Sequence, residues 1–200
     1  MPINAQLLDN PKSDRVRRIA ELTRTKGRRK NGRFLIEGPQ SVREAVRYAS
    51  DIVTDIYVAG DEDGIDSDVL ADIAQRALDK SADLYVHTAT REVIDHISPD
   101  AQGVIAVGDT DKLRSGMKAE VEQASSNSRG MRVAAFWQVR DPGNAGTVIR
   151  AADAAGCDVV VFVDDCVDML NPKVIRSTTG SLFHNPVNAM GTNKFFNWMK

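Results

Sequence analysis

Residues 132–164 restrict the fold more than any other stretch of this chain. RVAAFWQV (132–139) has the β-branched and aromatic content of a strand. Asp141-Pro-Gly143 is a turn, and Ala145, Val148, Ile149, Ala152 and Ala155 then recur at helical spacing. Gly156 is a natural helix stop. DVVVFVD (158–164) is a second strand, with the continuous apolar run of a strand buried on both faces. Strand, helix and strand in this order predict a right-handed crossover between parallel strands. Asn171 then caps a further helix, with Pro172 at its first position and Gly180 near its end. A parallel sheet of two or three strands leaves an unpaired edge, so this half is expected to be less stable than the first or to self-associate.

The first half alternates strands and helices as well. Ser13 is a candidate N-cap for an amphipathic helix carrying Val16, Ile19, Ala20 and Leu22. Residues 26–33 read as a basic loop with two glycines, and Phe34-Leu-Ile36 as a buried strand. Pro39 opens a helix over 41–48. Strands at 55–59, 84–86 and 103–107 and helices at 68–78 and 90–96 complete an α/β layered domain over 1–108. Residues 109–130 read as a polar linker, and the parallel-sheet unit occupies 131–200.

Charge is distributed unevenly. The net charge over 200 residues is −2. Residues 1–50 nevertheless carry 12 Lys and Arg against 5 Asp and Glu, while residues 51–100 carry 3 against 13. A basic first quarter on a mildly acidic chain points to a local anion-binding surface or to a solvated helical face. The longest apolar run, Val159 to Val163, is far short of the roughly 20 residues of a membrane helix, and the first residues lack the apolar core of a signal peptide. The two cysteines, Cys157 and Cys166, make no disulfide framework and suit a reducing cytoplasm. Neither they nor His87, His96 and His184 have metal-ligand spacing, so no metal site is expected.

The C-terminal edge of a parallel sheet is the usual ligand crevice, and the richest such edge here is RDPGNAGTVIR (140–150). Gly143 and Gly146 would let the backbone approach a ligand, and Asn144 could cap the helix or bond a ribose or base. Thr147 and Arg150 share a helix face off the apolar stripe. Arg150 there either clamps a phosphate with its planar fork or forms an ion pair with Asp141 or Asp153. Asp164 and Asp165 stand where a dinucleotide fold would place a ribose-binding acid, but the glycine pattern is GNAG rather than GxGxxG. Lys173 and Arg176 form a second basic pair, and His184 is either a structural residue or a general base.

DPGNAGTVIRAADAAG (141–156) resembles the first motif of the SpoU-type (TrmH-like) RNA 2′-O-ribose methyltransferases of the SPOUT superfamily, an Asn, a Gly two residues on and an Arg four further. DMLNPKVIRSTTGSLFH (168–184) is similar to that family's NPK…R…GS.FH segment. RRKNGRFLIEG (28–38) and GVIAV (103–107) are similar to its N-terminal substrate-binding domain, which has a fold like ribosomal protein L30e. The fold class so implied is α/β, an L30e-like RNA substrate-binding domain followed by part of a SPOUT-type parallel-sheet methyltransferase domain.

The resemblance implies methyl transfer from S-adenosylmethionine to a ribose 2′-hydroxyl of tRNA or rRNA, and a homodimer in full-length relatives. It assigns catalytic roles to Asn144 and Arg150. Arg28, Arg29, Lys30, Arg33, Lys173 and Arg176 are the candidate RNA-binding residues. The family's later Gly-Asn-Glu and Ser-Leu-Asn motifs, which thread a cofactor-binding knot, are not in this sequence after residue 180. A chain ending at Lys200 is therefore expected to be truncated, with an incomplete cofactor pocket and no activity alone. The alternative is a non-catalytic RNA-binding remnant.

Overall fold

The computed structural model describes residues 4–81, 83–126 and 130–200. The chain forms two compact units, one ending at Leu113 and one starting at Arg114.

The N-terminal unit is built on a sheet of β1 (Asn4–Leu8), β2 (Arg33–Glu37), β3 (Val53–Asp61), β4 (Gly64–Ile65), β5 (Tyr85–Ala89) and β6 (Val104–Asp109). The strands run in the order β1-β5-β3-β6-β2, with β4 hairpinned onto β3. β3 is parallel to β5 and antiparallel to β6, with Tyr57 opposite His87 and Ile105. Ile56, Val58, Ile105 and Ala106 are fully buried, so the central strands have apolar neighbours on both faces. Helices α1 (Asp14–Glu21), α2 (Thr25–Asn31), α3 (Pro39–Tyr48), α4 (Asp68–Lys80) and α5 (Arg91–Ile97) surround them. Ser13, Ser67 and Thr90 cap α1, α4 and α5 through their hydroxyls, each accepting from a backbone N–H three residues on.

Two expectations change here. Residues 25–31 form helix α2 rather than a loop. Gly27 lies against the carbonyl of Glu21, and Gly32, at φ 60°, ends the helix in the left-handed region. Residues 110–125 form α6 (Thr110–Ser125) rather than a linker. Leu113, Met117 and Val121 are buried at i, i+4 and i+8, a narrow stripe in an otherwise polar segment. The polar stretch after it includes residues 127–129, which lie outside the described residues.

The C-terminal unit holds β7 (Val133–Trp137), α7 (Pro142–Ala154), β8 (Val159–Val163), α8 (Pro172–Ser177), β9 (Val187–Met190) and α9 (Thr192–Trp198). The three strands are parallel in the order β7-β8-β9, as the crossover pattern requires, with β8 in the middle and every residue of it buried. Val159, Val161 and Val163 face Val121, with Met190, Phe195 and Trp198 packed beside them. β9 supplies a third strand where residues 187–190 show no strand pattern of their own, and β7 is an edge strand.

Candidate functional site

In the C-terminal unit, α7 and α8 follow the C-terminal ends of β7 and β8. Asp141, not Asn144, caps α7: its carboxylate accepts from the Asn144 backbone N–H at 2.8 Å. This leaves the Asn144 side chain exposed on the outer surface. Ala145, Gly146, Ile149 and Ala152 are the buried stripe of α7. Asn144, Thr147 and Arg150, three residues apart, form an exposed polar row along the same helix.

Gly146 is not an opening toward a ligand. A Cβ there would stand 1.9 Å from the Ser177 hydroxyl oxygen and 2.5 Å from the Ser177 carbonyl carbon, so the glycine lets α7 rest directly on α8. Ser177 secures that contact by donating its hydroxyl to the Pro142 carbonyl at 2.8 Å. Gly143 is exposed, with only the Asp141 carboxylate near its Cβ position.

Arg150 is solvent-exposed and oriented. Its Nη1 donates to the Ser177 carbonyl at 2.8 Å and its Nη2 to the Thr147 hydroxyl at 3.4 Å. Both acceptors are neutral oxygens. The ion pairs considered for it are not formed among the described residues. Asp141 is the helix cap, and Asp153 faces His184 at 2.8 Å. His184 is thereby a structural partner of Asp153. Lys173 is exposed at the start of α8, and Arg176 is half-buried near its end.

Asp164 ends β8 with φ 62°, in the left-handed region. Its carboxylate accepts from the Thr192 hydroxyl (2.5 Å), the Trp137 indole (2.8 Å) and the Thr192 backbone N–H (2.8 Å). These bonds hold its carboxyl below the usual carboxylate range, the Thr192 hydroxyl contributing most. Asp164 thus ties the end of β7 to the start of α9 instead of presenting a free acid to a ribose.

In the N-terminal unit the basic cluster splits in two. Lys26, Arg29 and Lys30 are exposed on α2, and Lys26 and Lys30 line a hollow of about 280 Å³ with Glu21 and Gly27. Arg28 is 4% exposed. Its Nη1 donates to the carbonyls of Leu22 and Thr23, both at 3.1 Å, and its Nη2 to the Thr25 hydroxyl at 3.0 Å. It therefore caps the end of α1, and its guanidinium is withdrawn from the exposed side that carries Lys26, Arg29 and Lys30, against the expectation that it joins them as an RNA-binding residue. Sequence spacing could not separate it from Arg29, because the α1–α2 junction decides which cation turns inward. Arg33 is half-exposed and paired with Asp109. Arg28→Ala is expected to cost about 2–3 kcal/mol through carbonyls left without their charged donor, a fall in melting temperature on the order of 10 °C. RNA affinity at a temperature where the variant is folded should stay within about twofold, against a larger loss for Arg29→Ala with Lys30→Ala.

Comparison with known proteins finds relatives for both units. Residues 131–200 match the SpoU rRNA Methylase family, and residues 13–106 match the MRM3-like substrate binding domain. The 23S rRNA (guanosine(2553)-2′-O)-methyltransferase RlmP of Bacillus subtilis is 34% identical over 180 residues, which cover 90% of this chain and 63% of that protein. The uncharacterized tRNA/rRNA methyltransferase slr1673 of Synechocystis is 28% identical over 168 residues, covering 83% of this chain and 56% of that protein. The crystal structure of an AdoMet-bound rRNA methyltransferase from Sinorhizobium meliloti superposes with a TM-score of 0.74 at 24% identity, covering 97% of this chain and 68% of that one. The chain thus carries a segment similar to the SpoU rRNA Methylase family, preceded by a segment similar to the MRM3-like substrate binding domain. It spans between about half and two thirds of the length of these curated relatives.

S-adenosylmethionine has a sulfonium, an amino-acid end and a ribose, each of which needs polar partners in a binding site. The concavity at the C-terminal ends of β7 and β8, about 330 Å³, is walled by Phe136, Trp137, Val163, Phe195 and Phe196. Thr192 is the polar side chain on its wall, and its hydroxyl is already given to Asp164. These walls offer apolar surface without the polar set, so they do not fit the cofactor as a complete site.

Proposed function

We propose that this chain serves S-adenosylmethionine-dependent 2′-O-methylation of RNA ribose, supplying the RNA-binding unit and the Arg150 side of the reaction site. The observation that carries this reading is Arg150: exposed, fixed by the Ser177 carbonyl and the Thr147 hydroxyl, and without a carboxylate partner among the described residues. Such a guanidinium keeps its full charge for an incoming anion.

The chemistry restricts its role. A 2′-hydroxyl is a weak nucleophile and must lose its proton as the new O–CH₃ bond forms. A guanidinium holds its protons too tightly to serve as a base. Arg150 acts by clamping the adjacent phosphate and by stabilising negative charge that develops on the ribose oxygen. Asn144, on the same row, positions the ribose or a base edge. Lys26, Arg29 and Lys30 bind backbone phosphate, with Lys173 and Arg176 as a second contact, which gives affinity without sequence choice.

Ribosomal RNA is the favoured substrate over tRNA, since RlmP is named for 23S rRNA. We place the chain in the cytoplasm. The two cysteines are free thiols, and no helix among the described residues is long and apolar enough to cross a membrane. A homodimer, as the family resemblance implies, belongs to the same proposal.

The test puts this chain in place of the matching segment of Bacillus subtilis RlmP and incubates the chimera with 23S rRNA transcript and methyl-labelled S-adenosylmethionine, followed by alkaline hydrolysis. Label retained in alkali-resistant dinucleotides is the expected result, because a methylated 2′-oxygen cannot attack its neighbouring phosphate. Label on a base would overturn the reading. RNA binding by a chimera that transfers no label would make the chain a non-catalytic RNA-binding protein.

A further inference from the structure

Helices α3 and α4 pack side by side in the N-terminal unit and enclose a groove of about 620 Å³. Its lining is Arg43, Val46, Arg47, Arg76, Asp79 and Lys80. Arg43 and Arg47 are one turn apart on α3, and Arg76 and Lys80 are one turn apart on α4. The two members of each pair therefore stand about 6 Å apart along their helix. Four long cations converge on one concavity from two rigid elements, over a floor of buried Val46.

The placement of these charges is selective. Residues 51–100 contain 13 acids and only three cations, Arg76, Lys80 and Arg91, and two of those three line this groove. Local acids offset the groove only in part. Asp72 takes Arg76 at 2.7 Å, and Asp79 accepts from Gln75 at 2.8 Å. Arg43 donates to the neutral Gln40 amide oxygen at 3.2 Å. The Arg47 guanidinium lies 5.1 Å from the ring centre of Tyr48, which is 53% exposed, so a flat aromatic face adjoins the cations.

We propose that the α3–α4 groove is a binding site for the phosphate backbone of the RNA substrate, separate from the α2 cluster. This inference rests on the RNA reading above. An extended polyanion suits the groove better than a single small anion, because its cations come in two pairs, each spaced by a turn along its own helix. Backbone contacts of this kind set the register of the RNA and add salt-dependent affinity without reading bases.

Fluorescence anisotropy of the full chain with a fluorescein-labelled RNA hairpin tests it. Arg43→Gln with Arg47→Gln removes two cations without burying anything, and Arg43→Glu with Arg47→Glu reverses them. The neutral pair is expected to weaken hairpin binding about tenfold and to flatten the plot of log affinity against log salt by about 1.4–1.8, the counterion release of two phosphate contacts. The reversed pair should weaken it further. Thermal melts identify any variant that has lost its fold, and the neutral pair carries the decision if the reversed pair does. Wild-type binding with an unchanged affinity and slope in the neutral pair overturns the groove while leaving the RNA reading intact. A wild-type chain with no measurable affinity for the hairpin overturns both.

Discussion

Gly146→Ala should lower the stability of the C-terminal unit by about 2–3 kcal/mol, a cost typical of forcing an extra carbon into a closed contact. The new Cβ would meet the Ser177 hydroxyl oxygen at 1.9 Å and the Ser177 carbonyl carbon at 2.5 Å. The hydroxyl could rotate away, although it would then leave the Pro142 carbonyl it now bonds. The main-chain carbon cannot rotate, so α7 and α8 must separate. Both tryptophans, Trp137 and Trp198, lie in this unit, so their fluorescence reports its melting directly. A fall of roughly 10 °C or more is expected for a unit of this size. A variant melting within a degree or two of wild type would show that the two helices can part without cost. Separation would also move the Ser177 carbonyl that holds Arg150, so the proposed transfer, read in the RlmP chimera, should fall with stability.

Arg150→Ala should do the opposite, leaving the fold intact and removing the chemistry. The side chain is exposed and its bonds go to neutral oxygens, so truncation should cost less than about 1 kcal/mol of stability. On the proposed function, transfer to the ribose by the RlmP chimera should drop about 10²-fold or more, the usual loss when one preorganised donor to developing negative charge is removed. Arg150→Lys restores charge but not the planar fork, and should remain well below wild type. An alanine variant that keeps its rate within threefold would remove Arg150 from the reaction and leave it as a bridge between α7 and α8.

These two residues also show what can be read from a sequence and what cannot. Asn144, Gly146 and Arg150 are conspicuous as a spaced set, and the spacing correctly implies a buried and an exposed face on one helix. It does not say what the glycine is for. The open approach expected at Gly146 is occupied by Ser177, a residue 31 positions later on another helix. Asn144 and Asp141 are both plausible caps by residue type, and the backbone turn at Asp141 selects the latter. The α2 cations have the same local signature, yet one is buried under the end of α1 while its neighbours face solvent. The helix over 110–125 has little signature in the sequence, because its apolar stripe of Leu113, Met117 and Val121 is only one residue wide per turn and its value depends on the surface it covers.

Periodicity along the chain determined that each half is α/β, that the second half is a parallel crossover unit, and where its richest polar edge lies. Those properties follow from local geometry: side chains repeat every two residues in a strand and every 3.6 in a helix, whichever partners are present. Tertiary structure alone decided that Gly146 is a helix contact, that Arg28 is a cap, and that Arg43, Arg47, Arg76 and Lys80 share one groove. Each of these depends on an atom far away in sequence or on a packing choice between near-equivalent residues, and the energy of such a contact has no signature until the two segments meet.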